Sequence, residues 1–310
     1  SLMENGKKTS LFYKIFSLLS VVRGYNILVL VIAQYLASIY IFSPKKSIPS
    51  VLFDLHLFFV VFATVCVVAG GYIINNFYDI KADKINRPYK SDLDSYVKQE
   101  TILSIYFFLN IVGVLSGFLV SWKAALFFVS YIFSIWFYSH KLKRYPLTGL
   151  MSASLLTILP FFVIFVYFKN FSNIIFVHAI FLFLVIMVRE LIKDLENMRG
   201  AVASNYKTFP VAYGERNTKL LSIIILFLAL FTVINLLSHP AISFMKYYFY
   251  LVAVSLIIIG VVLLKSSKKE EYTILHTTLK ILLLIGVFSL VFIDTSLIID
   301  KVFNSLKLVN

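Results

Sequence analysis

Charged residues and cysteine are scarce in this sequence. Of its 310 residues only 14% are charged, 15 residues are acidic, and Cys66 is the one cysteine. A single cysteine excludes an intrachain disulfide, and without a group of cysteines and histidines we expect no zinc site. The net charge of +14 would suit a nucleic acid. However, the basic residues are spread along the flanks of apolar stretches, so we expect no nucleic-acid partner and assign them to membrane lipids.

Long apolar runs are what the sequence has in place of charge. Hydrophobic residues make up 60% of the chain, aromatic residues 17%, and the mean hydropathy is +0.90. These values are typical of a polytopic membrane protein, in which about 20 apolar residues cross the bilayer. We predict nine such spans, at 22–42, 52–75, 101–120, 123–140, 147–168, 172–193, 218–238, 244–264 and 275–298. We therefore expect one all-α domain over residues 1–310, with nine transmembrane helices bundled around a central cavity.

Basic residues are concentrated in alternate connections between these spans. Connections rich in lysine and arginine stay in the cytosol, so residues 1–20 form a cytosolic segment and the even-numbered spans end on that side. The protein is then an integral membrane protein, and we place it in the plasma membrane. Both of the acidic stretches described next belong to the cytosolic side.

The first acidic stretch follows the apolar run 51–74. Asn75, Asp79 and Asp83 are spaced at i, i+4 and i+8, which would stack their side chains on one face of a helix. Acids at the end of an apolar span are candidates for a functional site, and oxygen ligands of this kind suit Mg²⁺ bound together with substrate phosphates. A solvated helix end that carries two aspartates is an equally good explanation of this stretch alone.

The second acidic stretch follows the apolar run 174–188. Glu190 and Asp194 are at i and i+4, and Asn197 comes three residues later, on what would be the same helical face. Two spans therefore each end in a pair of acids, although the chain has few acids. If the two ends meet, four carboxylates come together, and such a cluster requires cations.

These residues resemble the UbiA superfamily of intramembrane prenyltransferases. Its first motif is matched by residues 75–83 and the following Asn86-Arg87-Pro88, and its second by Glu190, Asp194, Gly200, Thr208 and Pro210. Residues 138–144 resemble the short loop after the family's fourth helix. The chain departs from the family at Asn76, Asn197 and Ala201, where acids are usual, and at residues 87–91, where a second Arg-Pro pair is replaced.

The resemblance implies a site made of both motifs. Asp79, Asp83 and Asp194 are the expected catalytic residues, and the expected Mg²⁺ ligands are Asn75, Asp79, Asp83, Glu190 and Asp194. The pyrophosphate of a polyprenyl substrate is expected to contact Arg23, Asn26, Asn75, Arg87 and Lys143. Arg199 and Lys207 flank a loop that would close over this site. Tyr72, Tyr131 and Tyr138 would face the carbocation or serve only in packing.

The expected function is transfer of a polyprenyl group from its pyrophosphate to a small acceptor. The acceptor is either geranylgeranylglyceryl phosphate or an aromatic precursor of quinones. The alternative is a membrane transporter of an anionic metabolite, which would also use basic loops and acids within spans. Transporters place their sites near the bilayer midplane on broken helices, whereas the acids here stand at span ends. That difference favours the enzyme.

Overall fold

Fifteen α-helices form the described part of the chain. The computed structural model describes residues 11–169, 173–290, 301 and 306–307. The helices are α1 Leu11–Val21, α2 Gly24–Ala37, α3 Ile48–Leu52, α4 Leu55–Tyr78, α5 Ile80–Asn86, α6 Pro88–Asp94, α7 Gln99–Val120, α8 Trp122–His140, α9 Pro146–Phe168, α10 Asn173–Glu196, α11 Met198–Ala203, α12 Phe209–Tyr213, α13 Glu215–Leu237, α14 Lys246–Lys265 and α15 Lys269–Ser289. Short helical segments Ser38–Phe42, Leu142–Arg144 and Pro240–Met245 complete the list, and these described ranges contain no strand. The all-α prediction is confirmed.

Eight of these helices are long and apolar enough to cross a membrane: α2 with its continuation to Phe42, α4, α7, α9, α10, α13, α14 and α15. The predicted fourth span forms α8, a helix of 19 residues. It falls outside the eight because polar residues along its length, such as Lys123, Ser130 and Ser134, lower its mean hydropathy. The count of nine spans is therefore not confirmed. The end of the predicted last span, 291–298, lies outside the described residues, as do residues 1–10 of the predicted N-terminal segment.

The helix α1 occupies most of the remaining N-terminal segment. The Ser17 hydroxyl donates a hydrogen bond to the backbone oxygen of Asp94, 3.3 Å away, and so joins α1 to α6. On the opposite face Leu11 and Phe12 are exposed. Residues 11–20 are thus a helix with one packed face and one apolar exposed face.

The long helices pack in two groups. In the first, α4 lies against α7 and α8. Gly113 allows close approach there, because an added Cβ would lie 2.9 Å from a side-chain carbon of Val67. In the second group α10 packs against α13 and α15, and its residues Val188, Leu191 and Ile192 are fully buried. Since α10 also contacts α9, it joins the two groups and carries the second acidic motif to their common end.

A proline interrupts the hydrogen bonding of α9. Pro160 has no N–H, so the backbone oxygen of Leu156 loses its helical partner. The Tyr131 hydroxyl of α8 donates to that oxygen at 2.8 Å. Nearby, Gln34 donates its amide to the oxygens of Pro160 and Thr64, at 3.3 and 3.4 Å. Backbone groups in a membrane interior must be satisfied by protein, so these side chains hold α2, α4, α8 and α9 together.

Both acidic motifs contain a break between helices, which corrects the prediction of one continuous helical face. Asp79 ends α4 with φ −96° and ψ 8°, and Asp83 belongs to the next helix. Asn197 likewise separates α10 from α11, with φ −102° and ψ 18°. The apolar runs end just before these positions, so the chain is free to turn where burial no longer requires a continuous helix.

Candidate active site

Lys143 lies at the centre of the candidate site. It belongs to the segment Leu142–Arg144, which connects α8 to α9. Its ammonium nitrogen is 2.5 Å from Oδ1 of Asp79 and 3.3 Å from Oδ1 of Asn75, and the residue is only 8% exposed. Burial lowers the pKa of Lys143, and the Asp79 carboxylate partly opposes that shift. The first motif thus holds a buried cation between its amide and its carboxylate.

The second motif faces the same lysine across a small cavity. The cavity has a volume of about 30 Å³, and its lining includes Lys143, Tyr138, Glu190, Asp194 and Thr208. Lys193 approaches Glu190 at 3.4 Å. The structure therefore brings the two acidic motifs to one place, with Lys143 in contact with the first and beside the second.

Asn86 at the end of α5 and Gly200 of α11 join the two motifs directly. The Asn86 side chain accepts a hydrogen bond from the Gly200 N–H at 3.0 Å and donates one to the backbone oxygen of Asn197 at 3.3 Å. A Cβ at position 200 would lie 2.2 Å from Nδ2 of Asn86, so only glycine fits. Lys269 at the start of α15 donates to the backbone oxygen of Asn86 at 2.8 Å. We call the Asn86–Gly200 contact the clasp.

Tyr206 makes a second connection between the motifs. Its hydroxyl lies 3.1 Å from both Oδ1 of Asp79 and the backbone oxygen of Tyr78. Its ring centre is 5.4 Å from the Lys143 ammonium, a cation–π distance. Burial, followed by the nearby Asp79 carboxylate, raises the pKa of Tyr206. No signal in the sequence identified Tyr206, because nothing in its spacing distinguishes it from the other tyrosines.

The remaining predicted residues surround this centre. Asp83 is buried and pairs with Arg87 at 2.9 Å. The guanidinium of Arg23 lies 4.9 Å from the ring centre of Tyr72, and Asn26 follows in the first turn of α2. The backbone N–H of Lys207 donates to the backbone oxygen of Arg144 at 2.8 Å, which fixes the end of the loop that was expected to close. The structure places these side chains at the same end of the bundle, but their roles stay predictions.

The donor atoms at this end have the chemistry that Mg²⁺ prefers. Within the described residues no three carboxylate, histidine or cysteine side chains converge as a complete metal site. Each motif instead supplies two carboxylates, and Mg²⁺ commonly binds one or two carboxylates and takes its other ligands from substrate phosphates. Oδ1 of Asn197 and Oγ1 of Thr208 are buried without a hydrogen-bond partner in the described chain. The residues therefore fit Mg²⁺ when a pyrophosphate completes the coordination.

Fold and site together define an α-helical membrane protein in which two acidic motifs at helix ends meet around a buried lysine. The model of the UbiA prenyltransferase family matches residues 17–292, and the chain belongs to that family. It is an intramembrane prenyltransferase, so the family prediction is confirmed over the transporter alternative.

Relatives and solved structures are consistent with this assignment. The chain is 29% identical over 212 residues to the digeranylgeranylglyceryl phosphate synthase of Methanobrevibacter smithii, covering 66% of this chain and 71% of the relative. It is 30% identical over 220 residues to the synthase of Thermococcus gammatolerans, covering 71% and 77%. A UbiA homologue from Archaeoglobus fulgidus bound to DMAPP and Mg²⁺ has the same fold. Its TM-score is 0.64 at 11% identity, covering 89% of this chain and 99% of the homologue.

Proposed function

We propose that this protein transfers a geranylgeranyl group from geranylgeranyl pyrophosphate to geranylgeranylglyceryl phosphate, giving digeranylgeranylglyceryl phosphate. The observation that carries the proposal is the position of Lys143, bonded to Asp79 and lining the cavity with Glu190 and Asp194. A site for a leaving pyrophosphate needs such a cation between its two acidic sides. The relatives named above support the choice of acceptor.

The reaction exchanges one carbon–oxygen bond for another. The free hydroxyl oxygen of the acceptor bonds to the first carbon of the geranylgeranyl chain, the bond from that carbon to pyrophosphate breaks, and the hydroxyl loses its proton. The charge of the leaving pyrophosphate is stabilised by the cations Lys143, Arg23 and Arg87. These cations belong to the end of the bundle at which the pyrophosphate is expected to bind. Asn26 and the Asn75 amide orient it.

The acids hold the metal in this proposal. Asp79 and Asp83, with Asn75, would bind one Mg²⁺, and Glu190 and Asp194 would bind a second. Bound Mg²⁺ supplies Lewis-acid stabilisation of the leaving oxygens. The Archaeoglobus fulgidus homologue bound to DMAPP and Mg²⁺ supports this assignment. We expect the largest losses of transfer activity on replacement of Asp79, Asp83 or Asp194.

We further propose that the site opens to the cytosol and that the chain lies in the plasma membrane. The lysines and arginines of the motif loops are concentrated at the site end of the bundle, as the positive-inside rule requires of a cytosolic face. A water-soluble pyrophosphate product would then be released into the cytosol.

The test is an acceptor panel. Purified protein, labelled geranylgeranyl pyrophosphate and Mg²⁺ are incubated with geranylgeranylglyceryl phosphate, 4-hydroxybenzoate or dihydroxynaphthoate, and lipid products are separated. We expect product with the first acceptor, none in excess EDTA, and loss of several kcal/mol of transition-state stabilisation in Asp79→Asn and Asp194→Asn. Asp92→Asn, on the exposed part of α6, is the matched control. Product with an aromatic acceptor alone would refute the proposed substrate, and full turnover in EDTA would refute the metal.

A further inference from the structure

Three cations near the site, Arg23, Arg189 and Lys280, have no carboxylate partner within the described residues. Lys143, Arg87 and Lys193 each pair with an acid of a motif. Neither the spacing of the sequence nor the family resemblance singled out Arg189 or Lys280. Cations within a membrane bundle are costly unless they meet a counter-charge.

Their contacts place the three cations in one region of the bundle, between α2, α10 and α15. Arg189 donates from Nε to the backbone oxygen of His276 at 3.3 Å. Lys280 follows His276 by one helical turn, on the same face of α15. The Lys280 ammonium lies 5.5 Å from the ring centre of Tyr25, two residues after Arg23. We call these three residues the α2–α15 cation cluster.

The cluster opens towards lipid. Tyr25 and Leu28 on α2 are 59% and 57% exposed, and Ile281 on α15 is 50% exposed. Lys280 is level with the first turn of α2, the same end of the bundle at which the acidic motifs lie. An anion with a hydrocarbon tail therefore fits this place, with its charge on the cluster and its tail along the apolar flanks.

We propose that the α2–α15 cation cluster binds the phosphate of the acceptor lipid, a phosphate monoester on glycerol. This proposal rests on the proposed function, in which the acceptor carries such a phosphate. Carbon atoms of the glycerol separate that phosphate from the reacting hydroxyl. The phosphate consequently needs cations beside the pyrophosphate site, not within it. Arg23 lies at the edge shared by the two sites, whereas Arg189 and Lys280 serve the acceptor alone.

The first measurement is steady-state transfer by the full chain in phosphatidylcholine nanodiscs. In Lys280→Gln we expect the KM for geranylgeranylglyceryl phosphate to rise about tenfold, as for loss of one charge-assisted contact. The KM of the same variant for geranylgeranyl pyrophosphate should change less than about twofold. Lys280→Arg should restore most of the acceptor affinity. Lys265→Gln, an exposed lysine at the end of α14, is the control and should behave as the wild type.

The second measurement is direct binding, which does not depend on turnover. Wild type should bind geranylgeranylglyceryl phosphate more tightly than geranylgeranylglycerol, and Lys280→Gln should lose that preference. Equal binding of the phosphate lipid by both proteins, or no preference in the wild type, would refute the proposal that the cluster binds the acceptor phosphate. Displacement of the acceptor by equimolar phosphatidylglycerol would assign the cluster to bilayer lipid and also refute that proposal.

The two proposals fail in different ways. Wild type that binds geranylgeranylglyceryl phosphate with the expected preference, yet prenylates only an aromatic acceptor, would refute the proposed function and leave the binding site standing. Wild type that prenylates this acceptor, with Lys280→Gln binding it equally well, would refute the cluster and leave the function standing.

Discussion

At the scale of single residues, the burial of Lys143 determines how the site responds to pH. A lysine enclosed by protein loses its proton at a lower pH than an exposed one, because burial disfavours the charged form. Because its pKa is lowered, Lys143 loses its charge as the pH rises at a lower pH than free lysine would. Any step that needs the positive charge of Lys143 should therefore be lost over the same pH range.

We therefore expect activity to fall on the alkaline side below the ordinary titration range of lysine. Lys143→Arg should move this fall to higher pH, since a guanidinium remains charged. Lys143→Met should lose most activity throughout. The measurement is kcat/KM for geranylgeranyl pyrophosphate across the neutral and alkaline range. Lys141→Arg, an exposed neighbour, should keep the wild-type profile, and identical alkaline limbs in wild type and Lys143→Arg would show that another group titrates.

The sequence was informative about residues whose chemistry is unusual for their surroundings. Asp79 and Asp194 are conspicuous because carboxylates are rare at the end of apolar runs. Tyr206 and Lys280 carry no such signal, since tyrosine and lysine are common near the surfaces of membrane helices. Their positions follow from the path of the loop after α10 and from the packing of α15 on α2, which a single sequence does not specify.

At the scale of elements, the clasp couples two short helices, α5 and α11, that are far apart in the chain. Asn86 satisfies two backbone groups of the second motif, and Gly200 has no space for a side chain. A movement of α5 must therefore also move α11. The relative position of the two acidic motifs therefore depends on this one contact as much as on the long helices.

The clasp predicts non-additive effects of substitution. Gly200→Ala should lower kcat/KM, because the new methyl group collides with Asn86, and Asn86→Ala should lower it by removing two hydrogen bonds. In the double variant the methyl group has room, so the combined loss should be smaller than the sum of the two single losses in free energy. Val202→Ala on the exposed face of α11 is the control. Strictly additive losses, with unchanged thermal stability, would mean that the clasp does not position the motifs.

Elements with long apolar runs were predictable, and their interruptions were not. The spacing of Asn75, Asp79 and Asp83 is compatible with one helix, yet the chain turns at Asp79. The local sequence permits both conformations, and the choice is made by contacts of Asp79 with Lys143 and Tyr206 from elsewhere in the chain. The helix α8 is the opposite case, because it is helical over 19 residues although polar residues such as Lys123 and Ser130 interrupt its apolar sequence.

At the scale of the whole molecule, the site lies at one end of the bundle and the connection before α4 lies at the other. This separation allows the proposed orientation to be tested chemically. Tyr89 and Lys207 are exposed near the site, and Phe53 is 86% exposed at the opposite end. Cys66 is buried and can be replaced to leave a cysteine-free chain.

In that background, Tyr89→Cys and Lys207→Cys should react with an impermeant thiol reagent only after the cells are opened. Phe53→Cys should react in intact cells. The physical reason is that the positive-inside rule assigns an end rich in lysine and arginine to the cytosol, which is the proposed orientation of the site end. The reverse labelling pattern would invert the proposed orientation, and transfer activity of each variant serves as the check that it has folded.

The proline within α9 also constrains how this sequence can drift over evolutionary time. As long as Pro160 is present, the Leu156 oxygen depends on the Tyr131 hydroxyl of another helix, so phenylalanine at position 131 carries a penalty. Once a lineage replaces Pro160 with a residue that has an N–H, that dependence disappears and position 131 becomes free to vary. Loss of the tyrosine should therefore follow loss of the proline in descent, and seldom precede it.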